Sequence, residues 1–370
     1  MMLTRRNALA LGAGAAFSTG MPWLSTARAA DAVTFAPKPG AWRTFELTTT
    51  VEIKAAAGPT QVWVPVPGFA ADDWMRPGET TWTASGGTVA LREGAPGKAA
   101  LVHAKWDAGA TPSVVVTSRF ATRDRSVATD AKGTAASLPA EQRKLYTSAS
   151  ELMPLDGIVK KTSDTIVAGA TSDVEKARRI YEWIVDNTFR NPKTAGCGTG
   201  DIASMLSTGN LSGKCADLNP LYVGLARAAG LPARDIYGLR VAPSAFGYKS
   251  LGANSAVVTK AQHCRAEVFL DGIGWVPVDP ADVRKVVLEE PPGNLSLSNA
   301  KVVAARKALF GAWETNWVAY NDARDIDLPD SKGPSVPFLM YPQGETADGR
   351  MDSLDPDSFK YSISVREIKA

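Results

Sequence analysis

Cys215 comes directly before an apolar helical pattern, and His263 and Asp279 occupy the two halves of a predicted β-hairpin further along the chain. The helical pattern runs from Leu218 to Ala229, and Gly230 ends it. The chain has only two histidines, and the other one lies in a different region. A cysteine, a histidine and a carboxylate in this order and in these settings predict a nucleophilic triad.

The position of Cys215 favours a reactive thiol. In the first turn of a helix, a cysteine feels the positive end of the helix dipole, which lowers the thiol pKa and favours the thiolate. The backbone N–H at that position has no partner inside the helix, so it can stabilise an oxyanion. The alternative is a small buried residue with no reactivity, but a helix start is less often deep in a core.

The predicted hairpin can bring His263 and Asp279 together only if its loop has a suitable number of residues. Alternation along the first strand puts His263 on one face and an apolar set on the other, which predicts that Cys264 is buried and inert. The turn falls around Asp271-Gly272. An odd number of loop residues, such as three, places His263 and Asp279 directly opposite each other on one face, and an even number separates them.

The other chemistry-bearing residues give weaker signals. The three cysteines are an odd number, so at least one has no internal disulfide partner. Cys197 lies in a glycine-rich stretch expected to form a mobile loop beside the site, and a reversible disulfide with Cys215 is one hypothesis for it. His103 stands alone, which is typical of a surface or satisfied core residue. An acidic cluster could hold calcium or could serve turns and helix caps: Asp322, Asp325, Asp327 and Asp330.

The N-terminus has the pattern of an export signal covering residues 1–29. Paired arginines at Arg5 and Arg6 precede a short apolar run, and Ala27-Arg28-Ala29 fits a signal-peptidase site, so we expect export to the periplasm by the twin-arginine route. A Sec signal and a retained anchor are the alternatives.

From Asp31 onward 38 basic residues balance 38 acidic ones, because the only charged residues among the first thirty are three arginines. This balance argues against nucleic acid as a partner, and the apolar run is too short for stable membrane insertion.

Three regions follow the predicted signal. Residues 30–130 alternate in polarity between glycine and proline clusters, which predicts an N-terminal β-sandwich domain. Residues 131–300 contain the candidate triad and are expected to form the core. Residues 301–370 are predicted to be a C-terminal extension that packs on the core. Its aromatic residues fall at roughly helical spacing and suit either a buried interface or a peptide groove: Phe310, Trp313, Trp317 and Tyr320.

Several spaced segments, within about residues 170 to 285, resemble the transglutaminase-like superfamily. They are Gly213-Lys214-Cys215, the helix leading to Gly230-Leu231-Pro232, His263-Cys264-Arg265, and Gly274-Trp275-Val276-Pro277-Val278-Asp279-Pro280. The resemblance implies an α+β fold with a papain-like core, in which a cysteine-bearing helix packs on an antiparallel sheet. It implies that Cys215 is the nucleophile, His263 the general base and acid, and Asp279 the orienting residue. Two positions depart from the pattern, since Arg265 stands where many relatives have an aromatic residue and Ala216 stands where the animal enzymes have tryptophan.

These observations predict an exported cysteine-dependent amide hydrolase or acyltransferase that acts on peptide or protein substrates through a thioester. The mechanism requires no cofactor and no metal. The alternative is a non-catalytic scaffold that keeps the fold for binding. The joint presence of Cys215, His263 and Asp279 counts against the scaffold, because a binding module has no need of them.

Overall fold

The structure, a computed structural model, describes residues 34–54, 58–130, 134–355, 357 and 359–369. The predicted signal segment lies outside these ranges. The helices are α1 Ala140–Thr147, α2 Gly157–Val167, α3 Asp173–Asn187, α4 Ile202–Thr208, α5 Cys215–Ala228, α6 Pro280–Glu289 and α7 Ala300–Ala308. The strands are β1 Arg43–Glu52, β2 Thr60–Pro65, β3 Met75–Ala84, β4 Thr88–Arg92, β5 Leu101–Trp106, β6 Ser113–Thr122, β7 Arg125–Ser126, β8 Phe189–Arg190, β9 Ser212–Gly213, β10 Ala233–Arg240, β11 Gln262–Leu270, β12 Gly274–Val278, β13 Ala312–Trp313, β14 Trp317–Asn321, β15 Gln343–Thr346, β16 Gly349–Arg350 and β17 Lys360–Ile368.

Helix α5 is the buried centre of the α-helical region. Every one of its residues is buried, and it packs against β10 and β11 on one side and against α2, α3 and α6 elsewhere. It begins at Cys215, as predicted. It ends where Gly230 adopts a φ of +87° and the Leu231 N–H donates to the Ala226 carbonyl, a left-handed cap that favours glycine.

The sheet beneath α5 is antiparallel, with strand order β12-β11-β10-β14. It therefore has the arrangement expected from the sequence, a cysteine-bearing helix on an antiparallel sheet. One of the two edge strands, β14, comes from beyond residue 300, so the C-terminal region completes this sheet.

The hairpin β11–β12 has a three-residue loop, Asp271–Ile273, because Leu270 pairs with Gly274. The odd loop length matches the prediction and keeps His263 and Asp279 on one face of the sheet. The prediction that the two lie directly opposite is wrong by two residues. The register pairs Ala266 with Val278, so the next position places Asp279 across from Arg265, diagonal to His263.

Two more sheets enclose a second apolar cluster. One has strand order β17-β1-β6-β3 and the other β16-β15-β2-β5-β4. Alternate residues of β1, β2, β5 and β6 fill the space between them, with Val62, Val64 and Val102 almost fully buried. The region beyond residue 300 adds β15, β16 and β17 to these sheets, so it pairs with the N-terminal strands as well as with the core sheet.

The aromatic residues beyond residue 300 form strands rather than a helix. Trp313 lies in β13 and Trp317 in β14, and both pack with Trp74 at ring-centroid distances of 5.5 and 6.0 Å. All three indoles are fully buried. They join the N-terminal strands to the core sheet, which favours the buried-interface interpretation over the peptide groove. The helical spacing was misleading because residues 314–316 are irregular and β13 and β14 belong to different sheets.

No helix in the described ranges is long and apolar enough to cross a membrane.

His103, the histidine outside the core, takes a structural role. His103 is buried, stacks on Trp63 and hydrogen-bonds through Nε2 to Gln61 at 3.0 Å. Burial, the main cause, lowers the pKa of His103 to about 4.

Candidate active site

His263 lies at the start of β11, and its imidazole Nε2 is 2.8 Å from Oδ2 of Asp279. Asp279 follows β12 directly and is the N-cap residue of α6, where its Oδ1 accepts the Asp282 N–H at 3.0 Å. The Asn219 side chain, from α5, also donates to Oδ1 at 3.1 Å. One carboxylate thus caps a helix with one oxygen and holds the imidazole with the other. Because Nε2 is engaged, Nδ1 is the ring nitrogen left for Cys215.

A second carboxylate lies beside the same imidazole. Asp282, in the first turn of α6, places Oδ2 3.4 Å from His263 Nε2, and its Oδ1 accepts from the Arg240 guanidinium at 2.5 Å. Arg265 approaches from the sheet, with Nε 3.5 Å from Asp279 Oδ2 and Nη1 donating to the Glu314 carbonyl. Two buried arginines therefore compensate two buried carboxylates around one imidazole.

These charges set the protonation of His263. Burial and the Arg240 guanidinium lower its pKa, but the Asp282 and Asp279 carboxylates outweigh both and raise the pKa of His263 to about 9. Burial opposes the ionisation of Asp282, yet Arg240 and His263 hold the pKa of Asp282 well below its usual range. Burial together with the charge of Asp282 raises the pKa of Asp279. The imidazole is therefore protonated at neutral pH, and Asp282 supplies a fixed negative charge.

Cys215 occupies the first position of α5, and its thiol lies among two other thiols and the His263 ring. Hydrogen bonds from Cys197 and Cys264 lower the pKa of Cys215 well below its usual range, and His263 adds to the effect, while burial acts in the opposite direction. Burial raises the pKa of Cys264 well above its usual range, so Cys264 stays a thiol, as expected of an unreactive residue. The arrangement favours a thiolate at Cys215 paired with an imidazolium at His263.

The backbone N–H of Cys215 faces no acceptor among the described residues, whereas the next N–H, that of Ala216, donates to the Cys197 carbonyl at 2.9 Å. An unsatisfied N–H at a helix start, adjacent to a thiolate, is suited to receive an oxyanion. The sequence predicted this donor.

The loop that carries Cys197 is anchored to α5 by Asp217. The Asp217 carboxylate accepts N–H groups from Lys214, Thr199 and Gly200 at 3.0, 2.9 and 3.2 Å. A Cβ at Gly198 would lie 2.0 Å from this carboxylate, and the φ of Gly198 is +106°. A Cβ at Gly213 would lie 2.4 Å from it. The close approach at Gly213 is therefore made by the Asp217 carboxylate.

A cavity of about 370 Å³ opens onto Cys215 and His263. Cys197 and Gln262 also line it, and the Cys197 thiol lies 3.4 Å from the Gln262 carbonyl. The Cys215 thiol is buried, so this cavity is where a substrate carbonyl can approach it.

Sequence reasoning proposed Cys215, His263 and Asp279, assigned no role to Asn219, and missed Asp282 and the closeness of three thiols. Asp282 carried a weak signal, since an acidic residue three places after a helix N-cap is normally explained by the helix dipole. Cys264 was expected to face a packed interior, and it is buried, but that interior includes Cys215. No local pattern indicates such contacts.

His263, Asp279 and Asp282 are the one group in the described ranges whose ligand atoms lie close enough to hold a metal ion. Arg240 and Arg265 already compensate both carboxylates, and the raised pKa of His263 disfavours the neutral imidazole that a metal needs. The acidic cluster after residue 320 is dispersed. Asp322 accepts from Tyr146 at 2.6 Å and Asp330 pairs with Lys105 at 3.0 Å, so these two carboxylates make structural contacts.

Comparison with known proteins identifies one family for part of this chain. Residues 160–280 match the family model described as the transglutaminase-like superfamily. This segment belongs to that superfamily. It contains α5, the hairpin, Cys215, His263 and Asp279, so the match covers the three candidate triad residues, while Asp282 lies just beyond it.

An uncharacterized protein of Haemophilus influenzae is 42% identical over 232 residues, which cover 60% of this chain and 62% of that protein. The chain therefore spans less than two thirds of the relative's length. A candidate cysteine protease from Cytophaga hutchinsonii superposes with a TM-score of 0.51 at 14% identity, covering 89% of this chain and 99% of that one. The periplasmic domain of TgpA from Pseudomonas aeruginosa gives a TM-score of 0.35 at 16% identity, covering 70% and 75%. At these identities the structural likeness to the Cytophaga protein is one of fold.

Proposed function

We propose that the protein is an exported cysteine-dependent amide hydrolase or acyltransferase that acts on peptide or protein substrates. The observation that carries the proposal is the hydrogen bond between His263 Nε2 and Asp279 beside the helix-start thiol of Cys215, at the wall of an open cavity. A transglutaminase-like fold adds support, because members of this superfamily use such residues for acyl transfer. The sheets around the second apolar cluster would form the β-sandwich expected ahead of the core.

In the acylation step, the Cys215 thiolate attacks the carbonyl carbon of the substrate amide and forms a C–S bond. The carbonyl π electrons move to oxygen, and the resulting oxyanion accepts the N–H of Cys215. His263 then gives its Nδ1 proton to the departing nitrogen, the oxyanion electrons re-form the C=O bond as the C–N bond breaks, and a neutral amine leaves. The products of this half-reaction are a thioester on Cys215 and a neutral His263, oriented by Asp279.

In the deacylation step, water or a second amine attacks the thioester. His263 removes a proton from this nucleophile, and the second oxyanion returns its electrons as the C–S bond breaks. Cys215 leaves as a thiolate and His263 is again the imidazolium, so the resting pair is restored. Water gives hydrolysis and an amine gives transamidation, and the two differ only in which nucleophile reaches the cavity.

The periplasm is the proposed location. The basis is the export pattern of residues 1–29 with its paired arginines. Expression of the full chain with and without the substitution of Arg5 and Arg6 by lysine, followed by cell fractionation, tests the route. Export that persists in a strain lacking the twin-arginine translocase would contradict it.

The chemistry can be tested without a known substrate. The folded, reduced wild type, His263→Ala and Cys215→Ala proteins are treated in separate reactions with p-nitrophenyl acetate and with iodoacetamide over a range of pH. Mass spectrometry locates each label. We expect rapid acetylation and alkylation of Cys215 below neutral pH, lost in His263→Ala. Cys264 stays unlabelled in the folded protein and serves as an internal control.

A Cys215 that reacts no faster than a simple thiol, or that is labelled only after unfolding, would remove the proposed enzyme. The non-catalytic scaffold would then be the better account of the fold.

A further inference from the structure

The cavity in front of Cys215 is strongly basic. Its lining includes a single carboxylate, Glu289, and six basic side chains: Arg190, Lys214, Arg240, Lys249, Lys260 and Lys285. The protein as a whole has balanced charge after the predicted signal, so this concentration is local.

Part of this charge is compensated within the structure. Glu289 accepts from both Arg190 and Lys285, so two cations share one carboxylate. Arg240 pairs with Asp282 behind the cavity wall. Lys214 donates its Nζ to backbone carbonyls at 2.7 and 3.1 Å, which orders the ammonium but does not neutralise it.

Lys249 and Lys260 have no ion-pair partner in the parts of the chain that the structure describes, and both are exposed. Both lie in the chain segment that joins β10 to β11, at the rim of the cavity. With Lys214, they leave the cavity with an excess of positive charge. Charges that line a concave surface reinforce one another and attract an oppositely charged ligand.

A second groove continues from the first. It has a volume of about 310 Å³ and shares Gly196, Cys197, Lys214, Lys260 and Gln262 with the basic cavity. Its remaining lining is largely aromatic or aliphatic: Thr259, Tyr341, Ser353, Leu354, Phe359 and Tyr361. Leu354 is 44% exposed, so an apolar surface is open to a ligand there.

The position of His263 decides which part of a substrate enters which groove. In acylation the departing nitrogen takes its proton from this imidazole, so the leaving part must lie on the side of His263. His263 and Cys215 line the basic cavity and do not line the apolar groove. The leaving part therefore occupies the basic cavity, and the acyl part extends past Cys197 into the apolar groove.

We propose that the substrate is a peptide with a large apolar residue on the acyl side of the scissile amide and carboxylates on the amine side. This inference rests on the proposed function, since it assigns the two grooves by the chemistry of the Cys215–His263 pair. Lys249, Lys260 and Lys214 bind the carboxylates, and Tyr361 and Leu354 contact the apolar residue.

The charge of the cavity can be measured with two alkylating agents of nearly equal size, anionic iodoacetate and neutral iodoacetamide. The quantity is the ratio of their rates at Cys215, divided by the same ratio for 2-mercaptoethanol. Because the ratio is taken on one thiolate, a change in the Cys215 pKa cancels. The variants are Lys249→Glu/Lys260→Glu and the control Lys161→Glu, whose residue is exposed on α2 and lines neither groove.

We expect a ratio above that of the free thiol in wild type and Lys161→Glu, and a fall of about threefold to tenfold in the double variant at low ionic strength. The difference should shrink at high salt. An unchanged ratio in the double variant, with fast iodoacetamide labelling retained, would overturn the inference and leave the proposed function standing. Slow labelling of wild type by both reagents would instead contradict the proposed function.

Peptide binding tests the two-groove assignment. Acetyl-Phe-Ala-Glu-Glu-amide is compared with its Gln-Gln and Lys-Lys analogues, and with acetyl-Glu-Glu-Ala-Phe-amide, for protection of Cys215 against iodoacetamide. We expect the first peptide to protect best, and we expect the double variant to remove its advantage over the Gln-Gln analogue. Equal protection by the acidic and basic peptides, or better protection by the reversed peptide, would overturn the assignment.

Discussion

Asp279 lies across the hairpin from Arg265, yet its carboxylate receives the hydrogen bond of His263, its diagonal neighbour, at 2.8 Å. The strand has already ended at Val278, and Asp279 turns to cap α6. The cap fixes Oδ1, which leaves Oδ2 pointing at the imidazole. The helix start therefore orients the histidine, and the register alone does not.

Asp279→Asn should separate the two tasks of this side chain. The asparagine oxygen can still cap α6, but its amide would donate to Nε2 and place the imidazole proton on Nδ1, where it cannot accept from Cys215. We expect alkylation of Cys215 at pH 6 to fall to the rate of an ordinary thiol, and turnover, once a substrate is found, to fall by up to about 10⁴-fold.

Asp201→Asn is the matched control, because Asp201 is the N-cap of α4, accepts the Ser204 N–H and does not line the cavity. Its alkylation profile should match wild type. If Asp279→Asn labels as fast as wild type at pH 6, the orienting role assigned to Asp279 is wrong.

The two histidines should titrate far apart. The pKa of His263 is raised from 6.5 to about 9, and that of His103 is lowered from 6.5 to about 4. Carbon-13 NMR of the imidazole Cε1 resonances in the reduced protein measures both, and His103→Gln assigns them. Asp282→Asn should move the His263 midpoint down, because the Asp282 carboxylate stabilises the imidazolium. Two midpoints near the ordinary value would contradict the charge arrangement described for the site.

The same shifts fix the sign of the pH dependence of stability. His263 binds its proton more tightly when folded, so its contribution is complete below pH 6.5 and is lost as the pH rises through about 9. His103 has the opposite sign, and its contribution is lost as the pH falls from 6.5 to about 4. Urea unfolding of wild type and His103→Gln should show the acid-side loss reduced in the variant.

Oxidation should link Cys197 to Cys215. The two thiols lie within hydrogen-bonding reach, and all three cysteines are free in the structure. With oxidised glutathione, the two thiols lose two electrons and two protons, and two molecules of reduced glutathione form. We expect non-reducing peptide mapping to show the Cys197–Cys215 link, with Cys215 no longer alkylated until dithiothreitol is added.

Cys197→Ser should prevent this protection, whereas Cys264→Ser should leave it intact. A map that shows no Cys197–Cys215 peptide after oxidation, or a link to Cys264 instead, would remove the hypothesis.

The carboxylate of Glu267 joins the core sheet to the N-terminal strands and should be important for stability. It is fully buried between Arg234 and Arg125, which lies in β7. Glu267→Gln keeps the shape but removes the buried carboxylate that two guanidinium groups share, which leaves Arg234 with Asp322 at 3.4 Å and Arg125 with the exposed Asp73. We expect a loss of up to about 3 kcal/mol in the free energy of unfolding. Urea denaturation measures it.

Glu46→Gln is the matched control, since Glu46 also lies between two arginines, Arg119 and Arg366, whose side chains are 55% and 65% exposed. We expect a much smaller loss there because water screens these pairs. Equal losses in the two variants would show that burial of Glu267 adds nothing.

The sequence by itself predicted the elements that carry the site. The apolar periodicity after Cys215, ended by Gly230, determined where α5 begins and ends. The alternation around His263 and the turn at Asp271-Gly272 determined that His263 and Asp279 share a face. These features are local, because a residue's neighbours in the chain largely decide its dihedral angles and the face it occupies.

Only the tertiary structure decided which distant side chains meet at the site. Asp282 and Arg240 come from separate elements. The thiols of Cys197 and Cys264 approach Cys215 from a loop and a strand. The tryptophans expected at helical spacing lie instead in strands at a buried junction. The basic cavity likewise collects lysines and arginines that are far apart in a charge-balanced chain. Such contacts depend on how complete helices and sheets pack, and that packing is determined by the summed burial of many side chains rather than by any local pattern.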